Sequence, residues 1–185
     1  SSACLNRRSP GDAHPMKKII LLAFVAVLGA GAFWLLGRPA TQAPEVTFSS
    51  ITGKQITTSE LRGKVVLVKF WATSCVTCVA QMPNNIENFE KYKDKGFDVI
   101  AVAMQYDPAN YVLNFVETRK IPFTVALDSR GTVAKAFGDV KLTPTAFLIG
   151  KNGQIIKRYV GDYDKAEFRA TLEKALAASL RVDFL

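Results

Sequence analysis

The chain has 185 residues, 49% of them hydrophobic, which is enough to bury one ordinary core and no more. Its 24 Lys and Arg outnumber 16 Asp and Glu for a formal charge of +8, but Arg7, Arg8, Lys17, Lys18 and Arg38 flank an N-terminal apolar run and the remaining excess is small and dispersed. No basic stripe interleaved with aromatics appears, so no nucleic-acid partner is expected.

Residues 1–15 are a short polar leader, rich in Ser, Pro and Arg, that cannot build a core; Met16-Lys17-Lys18 looks like a natural start, and the leader is left outside the fold. Arg7-Arg8 is a poor twin-arginine export signal, because Ser9-Pro10-Gly11 follows where an apolar stretch is needed. Ile19 to Leu36 reads IILLAFVAVLGAGAFWLL, without a charge, preceded by Lys17-Lys18. That is about the length that crosses a hydrocarbon core, and the lysines favour an N-terminus left in the cytoplasm. Residues 16–38 are therefore expected to be a signal anchor, a single transmembrane helix in a bacterial inner membrane that places the rest of the chain in the periplasm. The alternative is a signal peptide cleaved near Ala30-Gly31-Ala32, which leaves a soluble periplasmic protein.

Residues 39–44 read as a linker, residues 45–178 as one domain, and residues 179–185 as a tail. Val46 to Ile51 and Gln55 to Thr57 suggest a hairpin, followed by a short turn through Thr58 to Leu61. Lys64 to Trp71 (KVVLVKFW) is a strand apolar on both faces, as expected where helices cover both sides of a sheet. From Cys75 the spacing changes to that of a helix reaching about Lys95, with Val79, Met82, Ile86, Phe89 and Lys93 on one side, Pro83 inside, where it should kink the helix, and Gly96 as the stop. A strand over Phe97 to Met104 follows, then a helix over Pro108 to Lys120 with Tyr111, Phe115 and Val116 as core contacts. The pattern continues with a strand over Phe123 to Leu127, a short helix over Thr132 to Phe137 and a strand over Thr145 to Ile149. Asn152-Gly153 turns this last strand into Gln154 to Val160, and a final helix over Asp164 to Ala178 carries Phe168, Leu172, Ala175 and Leu176 on one side. Such an alternation implies an α/β fold with a mixed central sheet flanked by helices.

Trp71-Ala72-Thr73-Ser74-Cys75-Val76-Thr77-Cys78 sets two thiols three residues apart where the strand ends and the helix begins. Unpartnered amides of a helix's first turn favour a thiolate, so Cys75 is a candidate nucleophile, and Cys78 can close a small disulfide with it. A structural zinc site needs two further ligands. Cys4 and the single histidine, His14, both lie in the leader, so no metal or other cofactor is expected. A structural staple is a poor alternative, because by chain entropy a four-residue loop is worth only about 2 kcal/mol.

Phe70-Trp71-Ala72, Cys75 with Cys78, Pro83 five residues on, and Thr143-Pro144-Thr145-Ala146-Phe147 together resemble the thioredoxin superfamily. Within it, Leu61-Arg62-Gly63-Lys64 and the Lys151-Asn152-Gly153-Gln154 turn are similar to the membrane-anchored thiol:disulfide interchange proteins of the TlpA, ResA and CcmG group. The resemblance implies a thioredoxin-like fold with an N-terminal β-hairpin, Cys75 as the exposed attacking thiol and Cys78 as the buried resolving one. It also implies a cis Pro144 beside the disulfide. Trp71, Thr143 and Pro144 then form the substrate-binding edge, Thr143 offering extended backbone to a substrate strand. Expected partners are protein thiol or disulfide substrates, a membrane electron-donor protein and the inner membrane.

Five positions depart from the family pattern. Lys69 stands where thioredoxins carry a buried Asp, Gln81 where ResA-like members carry a Glu, Ser74 where a Trp often precedes the first cysteine, and Val76-Thr77 is neither the Gly-Pro of reducing members nor the Pro-His of strong oxidants. Lys69 either stabilises a thiolate by its charge or turns its ammonium to solvent at the sheet edge. The leading reading is an exported disulfide reductase. Its alternatives are a disulfide-forming or isomerising enzyme and, more remotely, a Cu(I)-handling module, although Sco-like copper proteins use a wider cysteine spacing and a distal His. A peroxiredoxin motif is not matched, because Ala72 occupies its threonine position.

Overall fold

The computed structural model describes residues 41–178, together with the helical positions Ile20, Phe24 and Val27. The chain divides into two compact units, Ser1–Pro39 and Ala40–Leu185. The expected leader, nearly all of the expected anchor and the C-terminal tail lie outside the described residues. No helix among the described residues is long and apolar enough to cross a membrane.

The second unit is built on a five-stranded mixed sheet. Its strands are β3 (Val65–Trp71), β4 (Phe97–Ala103), β5 (Thr124–Leu127), β6 (Thr145–Ile149) and β7 (Ile155–Val160), in the order β5-β4-β3-β6-β7. β3, β4 and β5 run parallel, while β6 and β7 run antiparallel to their neighbours. β1 (Thr47–Ser49) and β2 (Gln55–Thr57) form a separate N-terminal hairpin, tied to β5 through the amide of Ile51 and the carbonyl of Val125. The helices are α1 (Val76–Tyr92), α2 (Ala109–Arg119), α3 (Thr132–Ala136) and α4 (Lys165–Ala177).

All seven residues of β3 are buried, as its run of β-branched and aromatic side chains requires of a central strand covered on both faces. Its period of two divides the core. Val65, Leu67 and Trp71 face Met82 and Tyr92 of α1, Val112 of α2, and Phe168 and Leu172 of α4. Val66, Val68 and Phe70 face Phe48 and Ile56 of the hairpin together with Val133 and Phe137 at α3. Gly96, at a φ of 89° that suits only glycine well, ends the 3-10 turn after α1 and delivers the chain into β4.

Three expectations change. Thr41 to Pro44, expected as linker, pack on the β6–β7 turn. The amide of Ala43 donates to the Gly153 carbonyl, the amide of Ile155 donates to the Thr41 carbonyl, and Ala43 is buried. On α2 Phe115 and Val116 pack against the core as expected, but Tyr111 is exposed and the fully buried residue is Val112. On α1 the buried positions are Cys78, Gln81, Met82, Asn84, Asn85, Asn88 and Tyr92, so the buried stripe is largely polar, while Val79, Ile86 and Phe89 are only partly covered or sit at its margin.

Candidate active site

β3 delivers its chain to the end of the sheet, where Ala72 is buried and Thr73 is held by the loop after β4. The Thr73 amide donates to Asp107 Oδ2 and the Thr73 hydroxyl to Asp107 Oδ1, each at 2.6 Å. One turn later Cys75 takes the N-cap of α1 in an extended conformation, and its Sγ accepts the amide N–H of Cys78 at 3.2 Å. Sulfur thus occupies the place that a Ser or Asp oxygen fills in an ordinary cap. Cys75 and Cys78 are joined as a disulfide with Cα atoms 5.2 Å apart. Their environments differ: Cys75 is partly exposed, Cys78 is 0% exposed, and Val76 between them is 83% exposed, with Thr77 exposed beside it.

β6 begins at the same end, since Phe70 pairs with Thr145. The preceding Thr143–Pro144 peptide bond is cis, Pro144 is buried, and its carbonyl accepts the amide of Gly161 at 2.8 Å. Tyr106, from the β4–α2 loop, lies 3.3 Å from Thr143 by its hydroxyl. Exposed Val76, Tyr106 and Leu142 therefore give this end of the domain an apolar surface.

Trp71 does not join that surface. It is fully buried, its ring stacks at 5.1 Å on Phe115, and its indole N–H has no hydrogen-bond partner among the described residues. Its expected substrate contact is corrected to support of the site from beneath, because β3 points it into the core shared with α2.

Of the two readings of Lys69, the one that turns its ammonium to solvent is overturned. β3 is the middle strand, not an edge, and Lys69 is 0% exposed. Its neighbours across the sheet are Ala101 on β4 and Ala146 on β6, and these two small side chains leave the slot that the long lysine fills. The ammonium nitrogen donates to Gln81 Oε1 at 2.7 Å. Gln81 in turn donates through Nε2 to Asp162 Oδ1 at 2.8 Å and to the Gly161 carbonyl at 3.3 Å. Burial pushes the Lys69 pKa down to about 7, opposed only by the charge of Asp162. The Gln81 side chain, then the Tyr163 amide, hold the Asp162 carboxyl below its ordinary value.

Asp107, Tyr106 and Asp162 were not singled out in the sequence. Asp107-Pro108 before a helical pattern could have marked a loop end, but its pairing with Thr73, 34 residues away, has no local signature.

Two cysteines of unequal exposure at the N-terminus of a helix, beside a cis-proline loop on this sheet order, define a thioredoxin-like thiol-disulfide oxidoreductase. The chain belongs to the Redoxin family, whose model matches residues 38–176. It is 37% identical over 134 residues to the thiol-disulfide oxidoreductase ResA of Bacillus thuringiensis, covering 72% of this chain and 76% of the relative. Among solved structures, a Neisseria meningitidis protein assigned as a thioredoxin superposes with a TM-score of 0.71 at 38% identity, over 77% of this chain and 94% of the other. A Chlorobium tepidum protein assigned as the thiol:disulfide interchange protein DsbE gives 0.70 at 33% identity, over 76% of this chain and 99% of the other.

Proposed function

We propose that this protein reduces disulfides of exported proteins, with Cys75 as nucleophile and Cys78 as resolving thiol. The observation that carries the assignment of roles is the unequal exposure of the two sulfurs: Cys75 is open at the helix N-cap while Cys78 is sealed behind it. In the reduced protein the first-turn amides favour a Cys75 thiolate. That thiolate attacks a substrate disulfide, forming a mixed disulfide as the substrate's other sulfur departs. Cys78 then attacks Cys75 Sγ, closes the intramolecular disulfide and frees the second substrate sulfur. Thr143 and Pro144 provide the edge on which an extended substrate segment lies, and Val76, Tyr106 and Leu142 present apolar surface at the same end of the domain.

The reductive direction is supported by what surrounds the pair. Val76-Thr77 carries no cation, and Lys69 is buried with a lowered pKa, so the helix terminus is the main stabiliser of the thiolate. A reduced form with no further stabilisation gives up its electrons more readily. A membrane electron-donor protein would return the pair to the dithiol. The apolar run Ile19 to Leu36 behind Lys17-Lys18 supports an inner-membrane anchor with the catalytic domain in the periplasm. Cys78→Ser in the native host should trap a substrate on Cys75, releasable by dithiothreitol. In the same host the wild-type Cys75–Cys78 pair, trapped by acid quench and alkylation, should be recovered mainly as the dithiol, as a reductase requires. Recovery mainly as the disulfide assigns the enzyme to disulfide formation.

A further inference from the structure

We propose that Lys69 is the proton acceptor for the Cys78 thiol in the resolving step of the exchange reaction. The proposal rests on the assignment of Cys75 as nucleophile and Cys78 as resolving thiol.

Placement carries the proposal. Lys69 lies on the β3 face that also carries Leu67 and Trp71, and that face packs against Cys78 and Met82 of α1. Its amine is fixed to Gln81, which stands three residues after Cys78 and so on the same side of the helix, less than one turn away. The nitrogen is thus anchored to the buried side of α1, the side on which Cys78 also lies. Cys78 has no access to solvent, so its proton has to pass to a group inside the protein.

Gln81 Oε1 is the one hydrogen-bond acceptor found for Lys69 among the described residues. One acceptor is too few for three ammonium protons in a dry site but suits a neutral amine, whose lone pair is then free to take a proton. The pKa of about 7 agrees with that state. The titratable groups around the amine are few. Cys78 comes from α1, Tyr159 from β7, and Asp162 and Tyr163 from the β7–α4 loop, while the flanking β4 and β6 positions are Ala101 and Ala146. Burial raises both tyrosine pKa values, the more so for Tyr163, and keeps them neutral, which leaves Asp162 as the charged neighbour.

In the mixed disulfide the neutral Lys69 amine takes the proton of the Cys78 thiol. The Cys78 electron pair forms the bond to Cys75 Sγ, and the bond between Cys75 and the substrate sulfur breaks with its pair leaving on the substrate. The departing thiolate is protonated by solvent. The new ammonium is held by Gln81 Oε1 and, across Gln81, by the Asp162 charge until the site reopens.

The test uses the full chain with Cys4→Ser, reduced, and mixed with 5,5′-dithiobis(2-nitrobenzoate) in a stopped-flow spectrometer. Attack by Cys75 releases one thionitrobenzoate and resolution by Cys78 releases the second, so the two steps are read separately. Cys78→Ser, which stops after the first, identifies them. The rate of the second phase should rise through a midpoint near pH 7. In Lys69→Met the midpoint should move up by at least one pH unit and the rate at pH 7 fall about tenfold, with the first phase unchanged. Lys69→Gln should give the same shift and supplies the result if the methionine variant does not fold. A normal first phase with an unshifted second phase in these variants overturns the proposal alone. Restoration of the wild-type profile by Lys69→Arg also overturns it, because a guanidinium supplies charge but cannot accept a proton. Absence of a first phase in the parent removes the Cys75 assignment and this proposal with it.

Discussion

Thr73 is held twice by one carboxylate, its amide on Asp107 Oδ2 and its hydroxyl on Asp107 Oδ1. Asp107 is itself nearly buried and reaches Thr73 from the loop that follows β4. The pair therefore locks the segment that carries Cys75 to a neighbouring strand's end. Hydrogen bonds to a buried charged group are worth about 1.5–3 kcal/mol, so Asp107→Ala should lower stability by about 2–3 kcal/mol in urea titration. The same variant should slow attack by Cys75 on a small aromatic disulfide, because the N-cap position is no longer fixed. Unchanged values for both would show that the loop is held elsewhere.

Differential alkylation is expected to separate the two thiols. Cys75 is partly exposed at a helix N-cap and Cys78 is sealed. With the reduced protein at pH 7, iodoacetamide followed by peptide mapping should modify Cys75 at least tenfold faster than Cys78. Cys75→Ser should abolish exchange. Equal rates, or faster modification of Cys78, would contradict the assignment of roles.

The polar stripe on α1 differs in purpose along its length. Gln81 is bound at both ends, to Lys69 and to Asp162, whereas Asn88 is buried with its Oδ1 unpaired among the described residues and its amide nitrogen on Asn84. A buried unpaired carbonyl costs stability that an apolar side chain of similar volume avoids. Asn88→Leu alone would leave Asn84 Oδ1 without its donor, so the double replacement Asn84→Leu with Asn88→Leu is the one that should raise stability, by about 1 kcal/mol. The nearer of the two lies six residues beyond Cys78, about 9 Å along the helix axis, so exchange kinetics should not change. Gln81→Leu, by contrast, should alter the resolving step.

Much of this site is written locally. The strand, the two cysteines and the helix start are contiguous, and Thr143-Pro144 stands directly before an apolar strand, so each is readable without knowing what packs on it. Lys69 is not. A lysine between Val68 and Phe70 has no local mark of burial; its slot is made by Ala101 and Ala146, which reach it only through the registers of β4 and β6. On α1 Met82, Ile86 and Phe89 meet the core as their spacing predicts, but the polar positions buried beside them have no local mark for a related reason. Periodicity ranks Val79, Ile86 and Phe89 above Asn84, Asn85 and Asn88, but the helix is rotated so that Gln81 and Asn85 meet Lys69, Asp162 and Tyr163. The family resemblance places Trp71 at the substrate edge, whereas the two-residue period of β3 sends it into the core.

The buried lysine also has a thermodynamic signature separate from its chemistry. With the disulfide closed, the folded-state pKa of Lys69 is about 7 against an ordinary value of 10.5. Between those values the unfolded chain binds a proton that the folded protein does not, so stability rises with pH across that window. Below pH 7 both states are protonated and the cost of burying the ammonium is paid in full. Near pH 10 most of it is gone. Lys69→Met removes the group, so its stability relative to wild type should be more favourable at pH 6 than at pH 10 by about 2–4 kcal/mol. The absolute gain at pH 6 will be smaller, because Gln81 Oε1 loses its donor and that costs about 1–3 kcal/mol at both pH values. Urea titration of the oxidised proteins at the two pH values gives the difference directly. A difference near zero would mean that Lys69 keeps its proton in the folded state throughout this range, and the neutral amine that the resolving step requires would not exist.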